Sequence, residues 1–566
     1  MRASAPVLRR SVVRATLVPT LCLVVALVQT APLALHLTTS VPFGNYPAPT
    51  VVWLNLWNLW WNSERLLHAY AGYWAAPIFH PDPYAFAYTE ALWLPGLVAS
   101  GFWWTTASPA LAYNAVLLAA FVLNGWCGYF LLRRLRIAFW AAVYGGLVME
   151  MLPIAADQIG VLQSAALFPI PMMLACLLRL GRSGKPWPAL GAVLWMAVCY
   201  HVSSNTALFF GPAAAFALVV FAGRRLARAR SAATLALAAL LGALLVAPVA
   251  VVQSRVLAKG QAARPESTIA ATSARLEAYA KMPASNLLRR RPPDRRAYSL
   301  YPGSGVLLLA TAGSCYGLRR RRLRRWTVYS LLVVLTYVLL SFGPLAREQP
   351  LGALLSGPYE LLRDFYPGFR FARNLWRFGG LAQVFLAPLV GFGLAGLAAP
   401  PGRSRRAVLP ALVALALGVE LLSAPIPLLD LRGKPTDLRW VQWLRSSPPE
   451  TTIVHLPMAS GLLPEDFERT GYWMYCQMYH GRRMANGYAG FVPGHTVQLA
   501  QLMERFPDAE SIHALRYLGI NHVLASGEWM ASAPAKGLAQ WTADVVPELA
   551  TGEMTIYRIG AREEAR

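Results

Sequence analysis

Eleven apolar stretches, most of them long enough to cross a lipid bilayer, leave this chain little choice of fold class. They fall near residues 12–36, 110–132, 137–155, 160–178, 231–253, 303–318, 326–343, 376–399 and 407–424, with two more inside 187–222. A polar break at His201, Ser203, Ser204 and Asn205 divides that last stretch, and polar groups there cost least at a helix mouth or inside a bundle. With 56% hydrophobic residues over 566 positions, the sequence reads as a polytopic α-helical membrane protein of about eleven crossings.

The charge supports this reading. A formal charge of +25 would suggest a nucleic-acid binder in a soluble chain. Here the excess sits in short connections between apolar runs. The clusters are Arg2, Arg9, Arg10 and Arg14; Arg133, Arg134 and Arg136; Arg179, Arg182 and Lys185; Arg224, Arg225, Arg228 and Arg230; Arg319 to Arg322 with Arg324 and Arg325; and Arg403, Arg405 and Arg406. None of these segments contains an acid, so the positive-inside rule accounts for the basicity and nucleic acid is excluded as a partner. Placing every cluster on the cytoplasmic side makes the N-terminus cytoplasmic and the region after 424 external. It also requires that 92–104 lie along or re-enter the membrane, because a crossing there would put Arg133, Arg134 and Arg136 outside. The first stretch has the Arg flank of a secretion signal, but its length makes it a signal anchor. Five of the six Cys lie in apolar runs, leaving Cys476 alone, so no disulfide framework or metal spacing is offered.

The domains expected are therefore a membrane domain over 1–424, with a long first outer loop at 37–109, and a small soluble α/β domain over 425–566. In the latter, helices are expected at 437–445, 496–505 and 509–518, and strands at 452–456, 521–525, 544–549 and 554–558. Between them lies GYWMYCQMYHGRRMANGYAGFVPGH, an aromatic, Gly-rich connection too long for mere linkage, with room to reach back towards the membrane face. The outer loop at 254–302 carries a helix-like segment over 272–281.

The outer loops hold most of the chemistry. Glu64, Asp82 and Glu90 lie in the first loop, among Trp, Tyr, Asn and His typical of a membrane-water boundary; Trp57 and His80 there are candidate substrate contacts. Glu150 falls inside an expected crossing, which reads either as a functional intramembrane carboxylate or as a helix-end residue reaching water. Asp157 follows in a short outer turn, where Asp also serves to close turns. Asp82, flanked by Pro81 and Pro83, is equally a turn residue, and Glu64 with Arg65 reads as a surface ion pair. A cationic set comprises Arg255 and Lys259 after one crossing and Arg370, Arg373 and Arg377 before another. Guanidinium forks match phosphate oxygens, and spacings of three and four could put the last three on one helical face; snorkelling is the alternative use. In the C-terminal region His455, His480, Arg482, Asn486 and Tyr488 could read an acceptor, although a strand His such as His455 is more often structural. No phosphate loop, nucleophile elbow or HExxH pattern occurs.

With the segments NLWNLWWNSERLLHA, PIFHPDPYAFAYTEAL, MLPIAADQIGVLQ, YPG at 301–303, PGFRFARNLWRF, HLPM and NGYAGF in view, the chain resembles uncharacterised bacterial multispanning proteins that look like GT-C glycosyltransferases. The resemblance implies a membrane bundle with juxtamembrane helices in the first outer loop and a periplasmic C-terminal domain. It further implies sugar transfer from a polyprenyl-phosphate donor at the outer face of the bacterial inner membrane, to a glycan, lipid or protein acceptor of the envelope. Such enzymes usually carry an acid early in the first outer loop, where this chain offers Asn45. Either the catalytic carboxylate is then Glu64, Asp82 or Glu90, with Asp157 or Glu150 supplying the acid of the second outer loop, or the protein is a divergent or inactive relative. Such a carboxylate would take a hydroxyl proton or hold a divalent ion. The alternative is a non-catalytic transporter or assembly factor for lipid-linked envelope polysaccharide, or a membrane anchor for a partner-binding C-terminal domain.

Overall fold

The computed structural model describes residues 5–44, 48–183, 185, 187–226, 229–259, 265–292, 298–348, 352–397, 405–461 and 464–560. Asn45 lies outside them. Helices occupy every apolar run. Seven stretches among the described residues are long and apolar enough to cross a membrane: Pro109–Arg134, Phe139–Asp157, Leu162–Ser183, Ser204–Arg224, Ala233–Ala258, Arg321–Ser341 and Trp376–Leu397. Thr16–Gln29, Trp187–Val202 and Val408–Leu421 are shorter apolar helices, and Ser304–Arg319 has 16 residues, roughly 24 Å at 1.5 Å per residue. The helix Trp93–Thr106 has only 14 residues, about 21 Å, too short to span.

The chain forms two compact units. The first comprises residues 1–46, 113–248 and 263–429; the second comprises 47–112, 249–262 and 430–566.

In the first unit, Trp376–Leu397 is the central helix, with nearly all of its length buried against Ser304–Arg319, Arg321–Ser341 and Phe139–Glu150. The YPG segment opens Ser304–Arg319. Gly303 takes φ +104°, a backbone geometry that a side chain would strain, and the Glu420 carboxylate accepts from the Ser304 N–H at 2.5 Å and the Gly305 N–H at 2.9 Å. A negative charge on those free N–H groups is the favourable sign at a helix start. The helix expected over 272–281 is broken. Glu266–Ala271 ends at Thr272, whose hydroxyl bonds back to Thr268 at 2.9 Å, and a separate tight turn follows at Leu276–Ala280.

In the second unit, Thr50–Leu67 is a buried helix between Trp93–Thr106 and Glu468–His480. Trp53 packs on Tyr472 and Tyr475 at 5.6 and 4.8 Å, and on the other flank Asn62 donates to the Ala91 carbonyl at 2.8 Å. The remainder is a five-stranded sheet: β1 (Thr452–Leu456), β2 (Arg483–Met484), β3 (His522–Ser526), β4 (Val545–Ala550) and β5 (Met554–Ile559), in the order β2-β1-β3-β5-β4. β1 pairs in parallel with β2 and β3, while β5 runs antiparallel to β3 and β4. Helices Gly494–Met503 and Ala509–Tyr517 cover one core built on Val454, Leu456, Leu499, Phe506, Leu515 and Val523. The first outer loop is stitched to β2. The Met484 N–H donates to Pro77 O at 3.0 Å, and the His80 N–H donates back to Met484 O at 3.0 Å. The aromatic, Gly-rich connection thus supplies Glu468–His480 and β2, the two elements that hold the first loop.

Candidate functional site

In the first unit, one side chain on the central helix ties two approaching segments together. Gln383 is buried; its Oε1 accepts from the Ile154 N–H at 3.0 Å, and its Nε2 donates to Leu300 O at 3.2 Å. Ile154 can come this close because it lies against Gly380, where a Cβ would stand 2.4 Å from its Cδ1. Pro153 starts the short helix Pro153–Asp157, with its missing N–H at a position that needs none, and Asp157 ends it. Asp157 is only 7% exposed and accepts from Gln158 Nε2 at 3.1 Å.

On the other segment, Tyr298 lies flat on Trp376, with ring centroids 4.4 Å apart and planes 15° from parallel. Burial pushes its hydroxyl up to about 12; Arg377 and Arg373 pull against that rise, and Asp157 adds to it. A side-chain hydrogen bond with Trp376 also lowers it, so two distant segments, one carrying Asp157 and the other Arg373, Trp376 and Arg377, act on a single phenol. Arg373 and Arg377 are half-buried, and Arg377 Nε is buried without a hydrogen-bond partner.

The three arginines do not share a helical face. Arg370 sits in the turn Phe369–Phe371, Arg373 in the link that follows and Arg377 in the first turn of Trp376–Leu397. Asn374 between them takes φ +62°, with its N–H donated to Thr272 Oγ1 at 3.1 Å, and this left-handed residue interrupts any common helix. Arg370 is exposed, its guanidinium 5.0 Å from the Phe371 ring centre. Glu150 does not reach water. It is fully buried, neither carboxylate oxygen meets hydrogen-bond geometry, and its neighbours are Gly125 and the Cys22 thiol.

The remaining candidates lie in the second unit. Asp82 closes its own turn, accepting from the Tyr84 N–H at 2.7 Å and the Tyr88 hydroxyl at 3.0 Å. Glu90 is half-buried, and its backbone carbonyl accepts from Asn58 Nδ2 at 3.4 Å. Gln253, two residues before exposed Arg255, donates to Thr89 O at 2.7 Å; Lys259 ends the same helix. Trp57 is fully buried, and its indole donates to Gln477 Oε1 at 2.8 Å, so both its surface and its polar edge are used in packing. The His80 ring meets Leu518 O at 3.0 Å, and burial lowers its pKa. Glu64 pairs with Arg65 at 3.6 Å and His68 at 3.4 Å, the surface arrangement its sequence suggested.

The C-terminal polar set is spent on structure. His455 stacks on Trp473 at 4.4 Å, and its backbone exchanges two hydrogen bonds with the Asn486 amide. Arg482 donates to Leu444 O at 2.9 Å and Arg445 O at 3.0 Å, satisfying the last carbonyls of helix Arg439–Ser446. Tyr488 is buried against Phe467. His480 is buried beside Trp440.

Sequence reasoning passed over Tyr298, Trp376 and Gln383, which only the fold brings together. It also passed over Asn55, fully buried with both amide atoms unpaired; the spacing of Asn55, Asn58 and Asn62 on one helix face was the available signal. Among the described residues, no three His, Cys, Asp or Glu side chains gather as a metal-binding group.

Residues 78–352 match a family model described as a domain of unknown function, DUF6311. No curated protein matches the sequence. Among solved structures, arabinofuranosyltransferase AftD from Mycobacteria is similar over 97% of this chain at a TM-score of 0.55 and 14% identity; this chain spans 40% of AftD's length. The oligosaccharyltransferase AglB from Archaeoglobus fulgidus, in complex with an inhibitory peptide and a dolichol-phosphate, matches 93% of this chain and 70% of its own at 0.49 and 11% identity. ArnT from Cupriavidus metallidurans, bound to undecaprenyl phosphate, matches 97% and 98% at 0.42 and 12% identity. At TM-scores below 0.5 these last two likenesses are too loose to argue from. The AftD likeness concerns fold alone, and on it the chain resembles the GT-C glycosyltransferases.

Proposed function

We propose that this protein is a membrane glycosyltransferase that moves a sugar from a polyprenyl-phosphate donor to an acceptor of the bacterial envelope, at the outer face of the inner membrane. The observation that carries the reading is geometric: Tyr298 stacks on Trp376 at the start of the buried helix that bears Arg377, Arg373 lies three residues before that helix, and Ile154, three residues before Asp157, lies against Gly380 of the same helix. A carboxylate and a pair of guanidiniums are the two opposed functions that glycosyl transfer requires. The acceptor hydroxyl oxygen bonds to the anomeric carbon as the bond from that carbon to the phosphate oxygen breaks. Asp157 takes the hydroxyl proton, and Arg373 and Arg377 stabilise the departing lipid phosphate. Arg370 lies beside them, available to the headgroup region. Glu90 is the candidate carboxylate of the first outer loop, held by the Asn58 and Gln253 contacts around it.

In this reading the chain crosses the membrane eleven times, with the N-terminus inside and the C-terminal sheet in the periplasm. The fold likeness to an arabinofuranosyltransferase supports including a pentofuranose donor among those assayed. The test is sugar transfer by the purified protein in lipid, wild type beside Asp157→Asn and Glu90→Gln. Loss of transfer in one variant identifies the essential carboxylate; transfer retained in both removes the mechanism.

A further inference from the structure

In the first unit, three of the basic connections between apolar helices meet on one turn. Helix Pro109–Arg134 ends in a left-handed cap: the Arg136 N–H donates to Arg133 O at 3.0 Å, the Ile137 N–H donates to Leu132 O at 3.1 Å, and Arg136 takes φ +63°. Glycine is the residue that suits this position, yet the chain places a guanidinium there. Two more arginines close on the same turn. Arg182, at the end of Pro169–Ser183, donates to Arg134 O at 3.0 Å, and Arg322, at the start of Arg321–Ser341, reaches Arg136 O at 3.5 Å. The two anchoring residues are no more than about 7.6 Å apart at Cα.

No carboxylate among the described residues pairs with this gathering. The sequence has no Asp or Glu over 91–149, 158–265 or 295–347, and none of the described ion pairs includes Arg134, Arg136, Arg182 or Arg322; Arg347 and Arg363 of the same unit, by contrast, both pair with Glu360. All four arginines are exposed. The positive-inside rule explains why each connection is basic, but not why three of them converge on one turn with a left-handed arginine at its centre. Like charges held together repel, and an anion bound among them removes that repulsion.

The surroundings select a lipid over a soluble anion. Trp140 and Trp187, four and five residues beyond Arg136 and Arg182, are 46% and 73% exposed, the placement of an indole at a membrane-water boundary. Behind the arginines, Leu131, Leu132, Leu174 and Trp326 of the same three helices line a small apolar recess, and the Trp326 indole N–H is buried without a hydrogen-bond partner. Cations outside, with an apolar recess and one unused donor inside, match an amphiphile.

We infer that Arg134, Arg136, Arg182 and Arg322 bind one cardiolipin headgroup, that of a membrane phospholipid with two phosphates on a single three-carbon bridge. The Arg182 and Arg322 guanidiniums, fixed on carbonyls two residues apart, offer two phosphate positions side by side, of which a headgroup with one phosphate fills only one. The site is distinct from the group proposed for sugar transfer and does not rest on that reading. On the proposed orientation it faces the cytoplasm.

The experiment is native mass spectrometry of the full-length protein in detergent titrated with cardiolipin, with phosphatidylglycerol at matched phosphate and inorganic tripolyphosphate as competitors. Wild type is expected to retain one cardiolipin against both. Arg136→Gly suits the left-handed cap, so it is expected to keep the melting temperature of wild type and to weaken cardiolipin binding about fivefold. Arg182→Gln with Arg322→Gln is expected to weaken it about twentyfold or more. Arg224→Gln with Arg225→Gln removes two arginines from a different cluster and is expected to bind as wild type does. Unchanged binding in Arg136→Gly or in the Arg182 and Arg322 double variant overturns the inference, as does an equal loss in the Arg224 and Arg225 variant. Displacement by phosphatidylglycerol at matched phosphate overturns it by assigning the arginines to bulk headgroups, and displacement by tripolyphosphate does so by assigning them to a soluble anion.

Discussion

Gln383 joins Ile154 to Leu300 through one amide, accepting from the first and donating to the second. These residues belong to segments about 150 positions apart in sequence, the first carrying Asp157 and the second Tyr298. Gln383→Leu keeps the bulk but leaves a buried N–H and a buried carbonyl unpaired, at about 1–3 kcal/mol for each. The expected outcome is a lower melting temperature in nanodiscs together with weaker donor-phosphate binding. A variant with wild-type stability and binding would show that the two segments hold their places without it.

Trp57 illustrates a different use of an aromatic residue. Its ring is fully buried and its N–H is bonded to Gln477, linking the first outer loop to the C-terminal part of the second unit. Trp57→Phe should destabilise the protein by about 1–3 kcal/mol from the orphaned Gln477 oxygen, with an additional cost from the lost volume. Thermal unfolding checks this; weakened substrate binding at unchanged stability would return Trp57 to the substrate.

Acid should loosen the second unit. Burial, and then Arg482, lowers the His480 pKa to about 3 from an ordinary 6.5, and burial takes His455 well below 6.5 as well. Above pH 6.5 both rings are neutral folded or unfolded and contribute no pH dependence. Below it the unfolded chain binds protons that the folded chain refuses, so stability falls from pH 6.5 down towards pH 3, at up to about 1.4 kcal/mol per pH unit per ring. Melting temperature measured across that range should drop, and His480→Gln should make the slope shallower. An identical slope in the variant would contradict the assignment.

The proposed orientation predicts where reporters work. Alkaline phosphatase joined after Gly560 should be active, and the same enzyme joined within the Arg319 to Arg325 cluster should be inactive. The opposite pattern would reverse the topology and place the Asp157 group on the cytoplasmic side.

Much of the fold was legible because local pattern and tertiary demand agree. The strands expected at 452–456 and 554–558 match Thr452–Leu456 and Met554–Ile559 closely, since alternating or continuous apolar residues there serve a sheet buried against helices. The helix Trp93–Thr106 is shorter than a crossing, as charge bookkeeping along the chain requires of that stretch. The site was legible only in its charged members. Asp157, Arg373 and Arg377 declare themselves by type, but the grouping of the arginines was misread because the left-handed turn at Asn374 leaves no periodic signature. Tyr298 and Gln383 gave no local signal, because their roles arise from a contact between distant segments. Trp57 and Arg482 were legible as chemistry-bearing residues while their actual partners, a buried amide and a helix end, were not.

Transfer of radiolabelled sugar from a panel of polyprenyl-phosphate donors, with purified wild type and Asp157→Asn compared in lipid, decides whether this protein is a glycosyltransferase. Asp157 as the catalytic base predicts transfer from at least one donor by wild type and a rate lower by about a hundredfold or more in Asp157→Asn, at unchanged donor binding. Transfer at the wild-type rate by Asp157→Asn would contradict it, as would saturable donor binding by wild type with no transfer from any donor.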